Sequence, residues 1–400
     1  MPWKETSLVT QREKFIRSVL DRAYSLAEAS ALHGISRKTG YKWWGRFERG
    51  GLEGLCDRSR APLHSPNKVS TEVEAALVES RRLHPSWGAK KLLPWLSERR
   101  PGLALPSLST ANEVLRRNGL QKSRRRRRKV ERLRCGLVTP SSPNHVWGID
   151  FKGQFRTGDG VLCYPLTVSD LYSRSILLCK ALRSTRGSGV REALEKLFRE
   201  YGLPEWIRSD NGSPFSSAGQ IGLSLLNVWW IEQGIRHELI EPGHPQQNGS
   251  HERMHRTLKA ETASPPARTI KAQQRRFDHF RREFNEERPH ESIGQVPPAR
   301  LWQPSPRRYR AHTEEFTYPG HYELRKVKGT GEIKLRGKLV FVSATLWRRQ
   351  LGLEEVDDGL WSLYFRDTLL ARWNERTSTL YPAGTAIVRI RSSARRPPEK

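Results

Sequence analysis

The stretch Val146-Trp-Gly-Ile-Asp-Phe-Lys-Gly-Gln-Phe155 decides how this chain is read. Large apolar side chains alternate with small or polar ones, the period-2 pattern of a strand, and Gly158-Asp-Gly160 ends the run. Working outward, Leu162 to Ser169 and Ser175 to Leu182 read as two more strands, joined by a turn at Asp170–Arg174. Gly189 to Tyr201 follows with Val190, Ala193, Leu194, Leu197 and Phe198 at helical spacing. Glu205-Trp-Ile-Arg-Ser209 is a short buried strand that ends in Asp210-Asn-Gly212. Helix is expected over roughly Gly222 to Gln233, strand over Arg236 to Ile240, loop over Pro242 to Asn248, and helix over Gly249 to Glu261. Three strands, helix, strand, helix, strand, helix predicts a mixed α/β sheet whose antiparallel strands come first.

That order is the order of a ribonuclease-H-like core, and three acids fall at telling places in it. Asp150 sits in a strand otherwise built from Val146, Trp147, Ile149 and Phe151. A carboxylate there costs several kcal/mol unless it finds a cation. Asp210 stands where a buried strand ends, and Glu252 stands near the start of a helix. In this fold the first strand, the fourth strand and the last helix converge at one end of the sheet. The three acids can therefore share a pocket although 59 and 41 residues separate them. Three hard oxygen donors without accompanying Cys or His suit Mg²⁺. A carboxylate shared by two such ions is the arrangement for in-line phosphoryl transfer. Taken singly each acid has a plainer reading: an Asp-Asn-Gly turn is commonly a loop, and a Glu at a helix start complements the helix dipole.

Upstream of the sheet the pattern is helical. Gln11 to Ala23 carries Phe15, Ile16, Val19, Leu20 and Ala23 on one face, and Ser25-Leu-Ala-Glu28 is a capping box for a helix reaching about Leu32. After His33-Gly-Ile35, Ser36 caps a third helix from Arg37 to about Arg49, stopped by Gly50-Gly51. This is helix-turn-helix spacing. Arg37, Lys38, Lys42 and Arg46 are its candidate DNA-binding residues, with Trp43 and Phe47 packing inward. The pattern fits an ordinary helical hairpin with a solvated basic face equally well. A linker covers residues 56–68. Three further helices follow, near Val73–Val78, Gly88–Glu98 (where Pro94 should bend or break it) and Ser109–Asn118. They suit a second DNA-binding module or a structural bundle. Arg124, Arg125, Arg126, Arg127, Arg128 and Lys129 then run without interruption, a block suited to tracking phosphates.

Downstream, Thr269 to Glu286 reads as a charged helix carrying Phe277, Phe280 and Phe284. From Phe316 onward short strands are expected at Ile333–Leu335, Lys338–Ser343, Trp361–Phe365 and Leu369–Trp373, a small β domain of about five strands. The domain plan is thus 1–55, helix-turn-helix; 68–120, second helical module; 121–140, basic linker; 141–305, catalytic core with its C-terminal helix; 315–390, small β-barrel-like domain.

Composition agrees with this plan. The 400 residues carry a net charge of +29, with 36% hydrophobic residues, 13 Trp, 10 Tyr and 12 Phe, enough to bury real cores. Residues 1–140 hold +17, residues 141–270 only +2, and residues 271–400 +10. A near-neutral centre between basic flanks fits carboxylates kept for chemistry beside surfaces that hold phosphates. No run of about 18 apolar residues exists, so no membrane span is expected. The opening Met1-Pro-Trp-Lys-Glu lacks an apolar leader, so a cytoplasmic, nucleoid-associated protein is expected rather than a secreted one. Cys56, Cys135, Cys163 and Cys179 form no C-x-x-C pair, which argues against a zinc knuckle or a disulfide framework.

Three motifs narrow the reading. His145-Val-Trp-Gly-Ile-Asp-Phe-Lys-Gly153, Arg208-Ser-Asp-Asn-Gly-Ser-Pro-Phe215 and Pro242-Gly-His-Pro-Gln-Gln-Asn-Gly-Ser-His-Glu-Arg253 resemble the integrase-type core of bacterial insertion-sequence DDE transposases, relatives of retroviral integrases. Met1-Pro-Trp-Lys-Glu5, Gly34 to Trp43 and Asn285-Glu-Glu-Arg-Pro-His290 resemble the same group, so the likeness runs over roughly residues 1–305. It implies that Asp150, Asp210 and Glu252 are the catalytic, metal-binding triad, holding two Mg²⁺ ions for which Mn²⁺ can substitute. It implies that Lys259, seven residues after the glutamate, holds the element end; Arg256 shares its helix face. The spacing between the second and third acids is longer than is usual in that group, and the excess maps near Gly219–Trp230. The expected function is binding of terminal inverted repeats, then strand cleavage and transfer into target DNA. The working form is expected to be a homo-oligomer, a dimer or tetramer, on DNA. A DNA-binding regulator that has lost catalysis and a simple ribonuclease-H-type nuclease are the alternatives.

Overall fold

Residues 8–57, 69–121, 136–241, 247 and 249–383 are described by a computed structural model, and the basic block Arg124–Arg128 lies outside them. The chain divides into two compact units, Met1–Lys68 and Val69–Lys400.

The first unit is built from α1 (Leu8–Leu20), α2 (Leu26–Leu32) and α3 (Arg37–Gly50). Ser25 closes the expected capping box: its hydroxyl accepts from the Glu28 N–H while the Glu28 carboxylate accepts from the Ser25 N–H at 2.9 Å. Ser36 caps α3 in the same way, accepting from the Thr39 N–H. Each such cap is worth about 1 kcal/mol of helix stability. Phe15, Ile16, Ala29, Trp43 and Leu55 form the core between the helices.

The second unit begins with α4 (Thr71–Leu83), α5 (Ala89–Arg99) and α6 (Leu108–Arg117), packed over Val73, Leu77, Trp87, Leu92, Leu96 and Val114. Of the bend or break expected at Pro94, the break is corrected: α5 runs through it. Proline removes one backbone donor, but burial of Leu92, Trp95 and Leu96 on both sides of it outweighs that loss.

The central sheet comprises β1 (Val146–Phe151), β2 (Phe155–Arg156), β3 (Leu162–Asp170), β4 (Ile176–Leu182), β5 (Trp206–Ser209) and β6 (Arg236–Leu239). Strand β3 is antiparallel to both β1 and β4, whereas β5 runs parallel to β1 and β6 parallel to β5. This is the ribonuclease-H-like order, β4-β3-β1-β5-β6, with β2 on the end of β3. The single strand expected from Val146 to Phe155 is split, because Gly153 takes a left-handed φ of 62° that a continuing strand cannot contain.

Helices α7 (Gly187–Tyr201) and α8 (Leu225–Glu232) cover one face, where Val190, Leu194, Phe198, Leu226 and Trp230 meet Trp147, Ile149 and Leu166. Helices α9 (Gly249–Thr262) and α10 (Ile270–Glu286) cover the other, where Met254, Leu258, Phe277, Phe280 and Phe284 meet Cys163, Ile176 and Cys179. The α4–α6 bundle is tied to this second face. The His84 imidazole lies 2.8 Å from the Glu283 carboxylate, Lys91 donates to the Pro289 carbonyl, and Arg99 reaches Glu287 at 3.2 Å.

The long segment between Asp210 and Glu252 contains α8, which is apolar almost all round. The reason is position: Leu226, Trp229 and Trp230 enter the central core, while Val228 and Ile231 enter the core of the C-terminal sheet. That sheet comprises β7 (Glu323–Lys326), β10 (Gln350–Asp357), β11 (Leu360–Phe365), β12 (Thr368–Asn374) and β13 (Thr379–Pro382), ordered β13-β12-β11-β10-β7, with a separate hairpin of β8 (Glu332–Leu335) and β9 (Lys338–Phe341). Strands β7 and β10 were not expected. Their sequences, Glu-Leu-Arg-Lys and the Glu-Glu-Val-Asp end of β10, lack alternation, and cross-strand pairing holds them. Among the described residues no pairing joins β7 to β13, so the sheet is open by its hydrogen bonds.

Candidate active site

Asp150 is the fifth residue of β1, at the point where four buried residues give way to two half-buried ones. Across the antiparallel ladder it faces Thr167 of β3. On its other side β5 runs in parallel register, with Gly148 opposite Arg208. Two residues further on, Asp210 leaves β5 level with Asp150. The Asp210 carboxylate accepts from the Gly212 N–H at 3.2 Å, and the Asn211 amide donates to the Ile240 carbonyl at 2.7 Å, which pins the Asp-Asn-Gly turn beside the end of β6.

Glu252 lies in the first turn of α9 and is exposed. The other side of α9, carrying His251, Met254, His255, Leu258 and Thr262, is buried against the sheet. Gly148 permits this approach: a Cβ there would stand 3.0 Å from a Leu171 methyl and 3.2 Å from the His251 ring.

A cleft of about 640 Å³ opens along the exposed side of α9, lined by Asp150, Lys152, Glu252, His255, Arg256 and Lys259 among others. Asp210 does not line it, yet its charge is felt there. Burial, then the neighbouring Asp210 carboxylate, push the Asp150 carboxyl up to about 7; the Phe151 N–H and Lys152 oppose this, and Glu252 adds to it. The Asp150 carboxyl thus feels the charge of both other acids predicted from sequence. Arg256 and Lys259 sit one and two turns after Glu252 on the same side.

Sequence reasoning missed two residues of this site, His251 and His255. Both are almost fully buried, and their Nε2 atoms lie 2.7 Å and 2.6 Å from the Thr167 hydroxyl. Nδ1 of His251 contacts the Ser169 hydroxyl at 3.0 Å. Nδ1 of His255 is 3.7 Å from the Asp150 carboxylate. Burial pushes His251 down to about 3 and His255 to about 2, so both imidazoles are neutral and the contact with Asp150 is not an ion pair. Asp150, His251 and His255 each offer a ligand atom within 4.8 Å of the others. The available signal was a histidine pair four apart that shares the apolar face of the helix carrying Glu252.

Of the remaining predicted contacts, those within the described residues lie on α3 of the first unit. Arg37, Lys38 and Lys42 are exposed there, whereas Arg46 is half-buried with its guanidinium 4.9 Å from the Trp43 ring. Arg12 stacks on the same ring at 3.9 Å.

Comparison with known proteins covers the same regions. The Integrase core domain family matches residues 140–245 and, in a second form, residues 233–298. A Helix-turn-helix domain matches residues 11–62, and a Homeodomain-like domain matches residues 39–115, spanning parts of both units. The insertion element IS476 39.2 kDa protein of Xanthomonas euvesicatoria is 30% identical over 255 residues, 62% of this chain and 70% of that protein. The insertion element IS407 31.7 kDa protein of Burkholderia multivorans is 30% identical over 253 residues, 61% of this chain and 87% of that protein. Among solved structures, a chain of a simian T-cell lymphotropic virus intasome is 17% identical with a TM-score of 0.35, covering 73% of this chain and 97% of that one. The HTLV-2 integrase catalytic core domain is 15% identical with a TM-score of 0.32, covering 40% of this chain and 97% of that one.

Proposed function

The chain belongs to the bacterial insertion-sequence transposases with an integrase-type core, and from that premise we propose that it binds the terminal inverted repeats of its element and catalyses DNA strand cleavage and strand transfer. One observation supports this above the others. A chain of net charge +29 keeps an acidic point where a strand, a strand end and a helix meet, and there the Asp150 carboxyl is raised by burial first, then by Asp210, with Glu252 adding to it.

The donor set fits divalent cations. Asp150 is largely buried and, among the described residues, the one basic group recorded within ion-pair distance of it is the neutral His255. Asp150, Asp210 and Glu252 would hold two Mg²⁺ ions, or Mn²⁺ in their place, which supply positive charge to the attacking and leaving oxygens of a phosphodiester. The protein's own groups do the rest. Lys152, Arg256 and Lys259 line the cleft and bind backbone phosphates, placing the scissile bond against the acids. Hydrolysis frees a 3′-hydroxyl, and that hydroxyl then attacks a target phosphodiester, so no covalent protein–DNA intermediate is required. Helix α3, with Arg37, Lys38, Lys42 and Arg46, reads the repeat. Two element ends must be joined, so the working form is a multimer on DNA.

A labelled terminal-repeat duplex incubated with the protein and Mg²⁺ tests this. Strand transfer that Asp210→Asn abolishes, with end binding retained, is the expected result. Cleavage without joining would make the protein a nuclease, and binding without either step a regulator.

A further inference from the structure

The hydroxyl of Thr167 is contacted by three groups: His251 Nε2 at 2.7 Å, His255 Nε2 at 2.6 Å and the Asp150 main-chain carbonyl at 3.1 Å. A hydroxyl has one proton to give and two lone pairs to offer. The carbonyl can only accept, so the Thr167 proton goes to it. Both imidazoles must then donate from Nε2, which leaves Nδ1 unprotonated on each ring. On His251 that nitrogen is used, because it accepts from the Ser169 hydroxyl at 3.0 Å. On His255, among the described residues, the contact recorded for that nitrogen is the Asp150 carboxylate, 3.7 Å away. That distance is too long for a hydrogen bond. Two lone pairs therefore face each other in a largely buried place, an arrangement that calls for a cation between them. Two ligands of one small divalent ion, with bonds of about 2.1 Å, stand about 3–4 Å apart, which brackets the observed gap.

We propose that His255, through Nδ1, is a fourth protein ligand of the divalent cation that Asp150 binds. The assignment rests on the transposase reading of the three acids and extends it. His251 is a positioning residue: held between Ser169 and Thr167, it fixes Thr167, which in turn fixes the His255 ring. The chain uses the shape of the sheet to do this, since Thr167 and Ser169 lie on one face of β3 and Gly148 leaves room for the His251 ring. A nitrogen donor in an otherwise oxygen site raises the preference for Mn²⁺ over Mg²⁺.

Pulsed electron paramagnetic resonance on the full-length protein with one equivalent of Mn²⁺ tests the proposal. The expected signal is the hyperfine coupling of a directly bound ¹⁴N, replaced by a ¹⁵N doublet when the histidines are ¹⁵N-labelled, which needs no variant. In His255→Gln the coupling should vanish, and Mn²⁺ affinity should fall by at least the roughly 10–100-fold that outer-shell partners carry. The Mn²⁺ preference should narrow with it. Mn²⁺ that binds, is lost in Asp150→Asn and shows no nitrogen coupling would overturn the proposal and leave the three-acid site intact. Such a result would mean that Nδ1 of His255 carries a proton onto the carboxylate instead. Failure of Mn²⁺ to bind at all would overturn both.

Discussion

Replacing Asp150 by Asn should make the metal-free protein more stable, and by an amount that depends on pH. The native carboxyl titrates at about 7, against an ordinary value of 3.8. Below both values the carboxyl is neutral in folded and unfolded chains and contributes nothing. As pH rises above about 4 the unfolded chain releases this proton while the folded chain retains it. The folded state thus binds more protons, and stability falls with rising pH until the native group ionises near 7. About three pH units at 1.36 kcal/mol each give a loss of ~4 kcal/mol. The side chain retains 22% exposure, so solvent reaches it and ~4 kcal/mol is the upper end. Asparagine is neutral throughout and keeps the shape facing Thr167. With a chelator present, Asp150→Asn should match the parent near pH 4 and exceed it by ~2–4 kcal/mol at pH 8, read as the shift of the core's urea transition. Saturating Mg²⁺ should close the gap at pH 8 by stabilising only the parent. An advantage that is equal at both pH values, or absent at pH 8, would show that burial and the two acidic neighbours do not raise the Asp150 carboxyl.

Three further outcomes are expected. Lys42→Ala should cost about 1–3 kcal/mol of discrimination between terminal-repeat and random DNA if its ammonium reads a base; equal loss on both DNAs in a competition binding assay would reduce it to a phosphate contact. Neutralising Arg124–Arg128 should flatten the dependence of DNA affinity on salt concentration, since fewer counterions are then released, and an unchanged slope would remove the block from the DNA interface. Gly148→Ala should destabilise the core by about 1–3 kcal/mol through overpacking against Leu171 and His251. It should also lower Mn²⁺ affinity, because the ring it displaces holds the histidine network; a stability loss with unchanged affinity would separate the two.

How much was legible in the sequence depended on whether a feature was local. Ser25 with Glu28 and Ser36 before Arg37 specify helix starts through contacts three residues apart, and the structure has both. The alternation around Asp150 and the turn at Asp210 likewise placed β1 and β5, which pair in parallel with Asp210 leaving β5 level with Asp150. Periodicity failed where partners far along the chain decide. Pro94 is tolerated because Leu92 before it and Trp95 and Leu96 after it bury in the core shared with the neighbouring helices. Strand β7 exists through its pairing with β10 and not through its own composition. The apolar wrap of α8 was visible, but only the structure shows that two cores claim its opposite sides.

The sequence by itself determined the architecture of the centre, because strand and helix periods and turn chemistry are written in adjacent residues. What tertiary structure alone decided is the environment of its acids. That the Asp150 carboxyl is pushed up to about 7 follows first from its burial between strands and then from Asp210 lying level with it across a parallel pair. That His255 sets Nδ1 3.7 Å from it follows from its Nε2 resting on one threonine hydroxyl of a third strand. Electrostatic coupling and hydrogen-bond polarity depend on distances through space, and no spacing along a chain encodes them.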